Sequence, residues 1–156
     1  MTRSTPGIGK KAPSFRLAGT GGDWSLAAAL GAPVVVYFYP RDNTPGCTNE
    51  GRAFAAAHAK FRAAGATIVG ISPDGVESHR KFKQKFAFPF ELLSDPERRV
   101  CELYDVIREK SLYGRKFLGV ERSTFLIDAD GVLRQEWRKV KVDGHAEAVL
   151  AAMKAL

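Results

Sequence analysis

Cysteine is scarce in this chain: 156 residues hold only Cys47 and Cys101. Two thiols so far apart exclude a disulfide scaffold and give a structural zinc site nothing to build on. Position 50 is Glu, so there is no Cys-x-x-Cys pair, and a thiol–disulfide oxidoreductase of that kind is excluded. No apolar run approaches the length of a bilayer span. The segment from Met1 to Lys10 lacks the apolar stretch of a secretory signal. A cytoplasmic, reducing location with no membrane partner is therefore expected. His58, His79 and His145 are scattered without ligand spacing. Glycine-rich phosphate loops, haem motifs and flavin signatures are also absent, so neither metal nor cofactor is expected.

The residues present are those of an ordinary globular protein, 45% hydrophobic and 26% charged. The length suits a single domain over 1–156 with a substantial core, and no repeat or linker divides it. Net charge is +7, which raises the question of a polyanion partner. The basic residues are dispersed, however. In the densest cluster, His79-Arg-Lys-Phe-Lys-Gln-Lys-Phe86, Phe82 and Phe86 stand i,i+4. They mark the buried stripe of a helix whose lysines face water, so no specific nucleic-acid site is expected.

Along the chain, 1–14 reads as an extended lead-in, Phe15–Leu17 as a short strand and Trp24–Leu30 as a short helix. Val34–Tyr39, Ala66–Ile71 and Phe90–Leu93 read as apolar strands. Helices are expected over Pro45–Ala64, over the basic segment to Phe86, and from Pro96. The stretch 107–120 reads as irregular. Ser123–Asp128 folds through Asp128-Ala-Asp-Gly131 onto Val132–Lys139 as a hairpin, and His145–Leu156 closes the chain as a helix. Alternating strands and helices predict an α/β, thioredoxin-like fold. Its central sheet is mixed and flanked by helices, with a terminal hairpin and C-terminal helix.

Chemistry concentrates in Tyr37-Phe-Tyr-Pro-Arg-Asp-Asn-Thr-Pro-Gly-Cys-Thr-Asn-Glu50. Pro40 ends the strand, Thr44 reads as an N-cap and Pro45 as the first helical residue. Cys47 then falls in the first turn, where free N–H groups and the helix dipole favour negative charge. Thiols in such settings have pKa values lowered from about 8.5 to about 3.5–7.5. The Thr44 hydroxyl is within reach of the Cys47 N–H, the sulfur or an incoming oxygen. Gly46 removes bulk beside the sulfur. Glu50, on the same helix face, is placed to orient the loop or a basic partner. Far along the chain, Arg122 and Thr124 share one face of an apolar strand. Arg122 is either the partner of an anion such as a thiolate or a strand-end arginine at the rim. His145, at a helix start, reads as a capping or surface residue, and Trp24 and Trp137 as packing residues.

Pro40-x-x-x-Thr44-x-x-Cys47 resembles the peroxiredoxin signature, and Phe38–Glu50 as a whole is similar to the bacterioferritin comigratory protein (PrxQ) subfamily. Glu121–Asp128 and Trp137–Lys141 resemble later segments of the same subfamily. The resemblance runs from about Gly9 to the end of the chain. It implies a thiol-dependent peroxidase for hydrogen peroxide and organic hydroperoxides. Cys47 would be oxidised to sulfenic acid, Thr44 and Arg122 would hold the peroxide oxygens, and Pro40 would shield the sulfur. It also implies a monomer.

Relatives carry a resolving cysteine five residues after the peroxidatic one or in the following helix. Here the first position is Arg52, and the segment 76–88 holds no cysteine. Cys101 is read as a packing cysteine. The expected mechanism uses one cysteine, with thioredoxin, glutaredoxin or a small thiol as reductant. Resolution by Cys101 and a redox-sensing binding protein are the alternatives.

Overall fold

A computed structural model describes residues 7–156. The expected lead-in begins in this range with a turn at 7–10 and a bridge from Lys11 to Val132; its first six residues lie outside the described residues. The chain then forms β1 (Arg16–Gly19) and β2 (Gly22–Ser25), followed by α1 (Leu26–Ala29) and β3 (Val34–Phe38). The long α2 (Pro45–Ala63) leads to β4 (Thr67–Ser72), α3 (Val76–Phe86), β5 (Glu91–Ser94) and the short α4 (Arg99–Leu103). A hairpin of β6 (Ile107–Leu112) and β7 (Arg115–Val120) precedes β8 (Ser123–Ile127), β9 (Leu133–Trp137) and α5 (His145–Lys154).

Seven strands form one mixed sheet in the order β2-β1-β5-β4-β3-β8-β9. β3, β4 and β5 run parallel, and β8, β9, β1 and β2 extend the sheet by antiparallel pairing. β3 lies between β4 and β8 and is buried along its whole length. Its β-branched and aromatic residues suit a strand covered on both faces. Val34, Val36 and Phe38 enter a core with Leu26, Cys101, Tyr104 and Phe125. Val35, Tyr37 and Tyr39 enter a second core on the opposite face, with Cys47, Phe54 and Phe61 of α2, Phe82 of α3 and Val149 of α5. The sheet thus places the two cysteines in different cores.

Three local expectations are corrected. Trp24 belongs to β2, opposite Leu17, and the helix starts only at Leu26 behind its N-cap Ser25. The segment from Pro96 turns first, and α4 begins at Arg99 after Arg98 takes a left-handed conformation. Residues 107–120, read as irregular, form the β6–β7 hairpin. Its two-residue turn, Tyr113-Gly114, has positive φ at both positions, as a type I′ turn requires. Tyrosine replaces the usual Asn or Asp there, and the strands' charged, exposed residues hide the apolar alternation.

The first half of α2 is fixed by close packing. A Cβ on Gly51 would stand 2.5 Å from Phe88 Cζ, and Phe88 is itself held in a ring series with Phe82, Phe86 and Phe90. Gly51→Ala should therefore destabilise the fold by about 1–3 kcal/mol through overpacking. The expected readout is a lower denaturant midpoint at unchanged m-value; an unshifted midpoint would mean that Phe88 yields.

Candidate active site

β3 delivers the chain to the site. Its last sheet bond runs from Tyr39 N–H to the Ile71 carbonyl, at 3.0 Å. Pro40 follows, half-buried, and the loop turns through Asn43 at φ 60°, a conformation asparagine tolerates better than most residues. Thr44 takes the extended backbone of an N-cap and Pro45 the first helical position. The Thr44 side chain makes no cap, contrary to expectation: its hydroxyl donates to the Arg41 carbonyl at 2.9 Å. It ties the turn to its own main chain and leaves the start of α2 without a side-chain cap.

Cys47 is 2% exposed. Arg122, which immediately precedes β8, reaches it from the strand paired with β3. Nη2 donates to Cys47 Sγ at 3.4 Å, and Nη1 donates to Glu50 Oε1 at 2.7 Å. The alternative left open by the sequence, an arginine at the strand rim, is corrected, because this guanidinium is turned inward onto the Cys47 sulfur and the Glu50 carboxyl group. Gly46 fits the same geometry, since a Cβ there would stand 3.0 Å from Arg122 Nη2. Thr44, Cys47, Glu50 and Arg122 thus meet at the N-terminal end of α2, with Pro40 in the loop that leads into it.

Glu50 is 1% exposed, and its Oε2 has no hydrogen-bond partner. Burial pushes its carboxyl up to about 7, although Arg122 pulls the other way. The Tyr37 hydroxyl, also buried without a partner, is raised well above the ordinary range by burial and then by Glu50 and Cys47. Lys110 on β6 lies within the field of the same group: burial and Arg122 lower its ammonium, while Cys47 opposes them.

Behind the site, His145 is buried rather than at the surface, which corrects the sequence expectation. Its Nε2 lies 2.8 Å from Thr124 Oγ1, and its ring packs edge-on against Phe54 and Trp137. Burial, reinforced by Arg122, pushes it down to about 4, which keeps it neutral beside the guanidinium. Tyr37, Lys110 and His145 are site neighbours that sequence reasoning missed. Tyr37 and His145 sit in stretches that read as plain strand and helix, and Lys110 in one that read as irregular.

Cys101 stands apart in the opposite core, fully buried. Burial and then Asp95 push its thiol up, away from the reactive thiolate form.

A buried cysteine at the N-terminus of the helix after a central strand, faced by an arginine, defines a thioredoxin-fold thiol enzyme. The model of the AhpC/TSA family matches residues 8–136. The peroxiredoxin Bcp of Xanthomonas campestris is 53% identical over 131 residues, covering 84% of this chain and 82% of that one. The peroxiredoxin Bcp of Bacillus subtilis is 47% identical over 148 residues, 94% of each chain. Among solved structures, a cysteine-to-serine mutant of Xylella fastidiosa PrxQ superposes with a TM-score of 0.91 at 40% identity, covering 97% of this chain and 98% of that one. The chain belongs to the AhpC/TSA family and, within it, to the Bcp (PrxQ) peroxiredoxins. It is a thiol-dependent peroxidase.

The raised carboxyl of Glu50 has a measurable consequence. The folded state holds its proton to about pH 7, the unfolded chain only to about 4.5. Glu50 therefore contributes stability that is complete below about 4.5 and lost as pH rises through about 7. Denaturant unfolding between these limits should show stability falling with pH, and Glu50→Gln should flatten that slope. An unchanged slope in the variant would rule Glu50 out as its source.

Proposed function

We propose that Cys47 is the peroxidatic residue of a one-cysteine peroxidase cycle, working within a single-domain monomer. The observation that carries this reading is the placement of the Arg122 guanidinium, with one N–H on the sulfur and one on buried Glu50. Cys47 attacks as the thiolate. Its sulfur forms a bond to one peroxide oxygen, the O–O bond breaks, and the leaving hydroxide or alkoxide takes a proton from water. The sulfur is oxidised to sulfenic acid, and the peroxide is reduced to water or an alcohol.

Arg122 and the N–H groups of the first turn of α2 are directed at the oxygens on which charge develops, where preorganised donors contribute most. Glu50 holds the guanidinium in this pose, and Thr44 fixes the turn and offers its hydroxyl oxygen to the substrate. Pro40 shields the sulfur from water. Hydrogen peroxide and organic hydroperoxides are the proposed substrates. The X. campestris relative, studied for alkyl peroxide reduction, supports the second class.

Two equivalents of an external thiol then return the sulfenic acid to the thiol, releasing a disulfide and water. Thioredoxin, glutaredoxin or a small thiol fills this role in the cytoplasm. Arg52 occupies the position five residues after Cys47, α3 holds no cysteine, and Cys101 lies in the core beyond the sheet. No helix among the described residues is long and apolar enough to cross a membrane, in keeping with this location.

Intact mass after one equivalent of peroxide is expected to show a single added oxygen on Cys47, with Cys101 still alkylatable after denaturation. A product lacking both thiols, at the mass of an intramolecular disulfide, would overturn the one-cysteine cycle. Cys47→Ser should abolish turnover with dithiothreitol. Arg122→Met should slow sulfur oxidation by about 10²–10³-fold, the typical cost of losing one such donor. Wild-type turnover in Cys47→Ser would refute the assignment of Cys47.

A further inference from the structure

Asp42 and His79 form a buried pair next to the reactive loop. Their side chains are 4% and 0% exposed, with His79 Nδ1 2.6 Å from Asp42 Oδ2. Both carboxylate oxygens are otherwise engaged: the Tyr39 hydroxyl donates to Oδ1 at 2.6 Å, and the Ser78 hydroxyl donates to Oδ2 at 2.7 Å. The other ring nitrogen of His79, Nε2, lies 2.9 Å from the Leu93 carbonyl oxygen. A carbonyl can only accept, so Nε2 carries a proton. Nδ1 meets the same Oδ2 that accepts from Ser78, so one carboxyl oxygen ties together the ring and the hydroxyl.

This pair connects two kinds of structure. His79 belongs to α3, and through Leu93 it is referenced to the main chain of β5. Asp42 belongs to the loop between Pro40 and Thr44, which has left the sheet after Tyr39 and has not yet entered α2. The Asp42 N–H is also taken, donating to Asp74 Oδ2 at 2.6 Å. One loop residue is thus held at its carboxyl group by three side chains and at its main chain by a second carboxylate. Buried polar and ionic pairs contribute little net stability compared with apolar residues of the same shape, and their best-attested use is to fix register. Here the element whose register they fix carries Thr44 and leads into Cys47.

We propose that the Asp42–His79 pair is a positioning device that holds the Pro40–Thr44 turn, and so the first turn of α2, in the geometry that receives a peroxide. The proposal rests on Cys47 being the peroxidatic residue. His79 and Asp42 act through the loop and touch no reacting atom. A displacement of about 1 Å at a reacting centre can cost about 10²-fold in rate, so a loosened loop should be costly even in a folded enzyme.

The test compares two reactions of the same sulfur in wild type, Asp42→Asn and His79→Gln. One is oxidation by hydrogen peroxide, which needs the oxygen-holding geometry. The other is alkylation by iodoacetamide at the same pH, which needs only an accessible thiolate. In variants with a native circular-dichroism spectrum, peroxide oxidation should fall by about 10- to 100-fold, with alkylation unchanged or faster. Peroxide rates within twofold of wild type would overturn the proposal, and so would an equal fall in both reactions. Should both variants fail to fold, Ser78→Ala decides, because it removes a single donor from an exposed position. A selective loss of at least twofold in the peroxide reaction supports the proposal, and no loss overturns it. Turnover that survives in Cys47→Ser would mark a failure of the peroxidatic assignment, whatever the loop variants do.

Discussion

The site depends on one guanidinium serving two partners. Arg122 stands 75 residues from Cys47 in sequence and 3.4 Å from it in space. Its second arm binds a carboxylate that is almost entirely out of water. A buried carboxylate without a cation would take up a proton, and a buried guanidinium without an anion would be expelled toward solvent. Arg122 therefore holds both groups in place, with the sulfur itself 2% exposed. This condition reaches into the backbone. Residue 46 must be small because Nη2 occupies the space a Cβ would take. His145 is kept neutral, so it adds no second positive charge behind the guanidinium.

Much of this was legible in the sequence, for identifiable reasons. The β3–α2 junction announced itself because proline, threonine and glycine have strong local rules and stand within eight residues of one another, from Pro40 to Cys47. Arg122 stood out as a charge at the edge of an apolar strand, and strand alternation correctly placed it on the face of Thr124. Long-range partners were not legible. His79 reads as one of several polar residues on a basic helix, and only the folded chain brings Asp42 of the loop and Leu93 of β5 to its two ring nitrogens. The β6–β7 hairpin escaped because a two-stranded, exposed ribbon need not alternate apolar and polar residues.

The two cysteines show how far the sheet, rather than residue type, sets chemistry. Both are buried. Cys47 is met by the open end of a helix and a cation. Cys101 is met by apolar side chains and the Asp95 carboxylate, whose Oδ2 accepts the Cys101 N–H at 2.8 Å. Burial and negative charge together raise a thiol and leave it inert. They belong to separate cores on the two faces of the sheet, so a bond between them would have to cross a covered layer whose central strands have no gap.

That separation also constrains how the cycle closes. A peroxide is small enough to enter a site where the sulfur is 2% exposed, but a protein thiol cannot line up with a sulfur so enclosed. Under the proposed one-cysteine cycle, the oxidised sulfur must therefore move outward before a protein reductant can attack it. The segment able to move is the one from Pro40 through the first turn of α2, since β3 is locked on both sides and Gly51 is pinned beneath Phe88. The same loop must be held firmly enough to receive peroxide and loosely enough to release the sulfur. Fastening it through side-chain hydrogen bonds, outside any sheet ladder, meets both demands, because such contacts break while the sheet keeps its strand pairing.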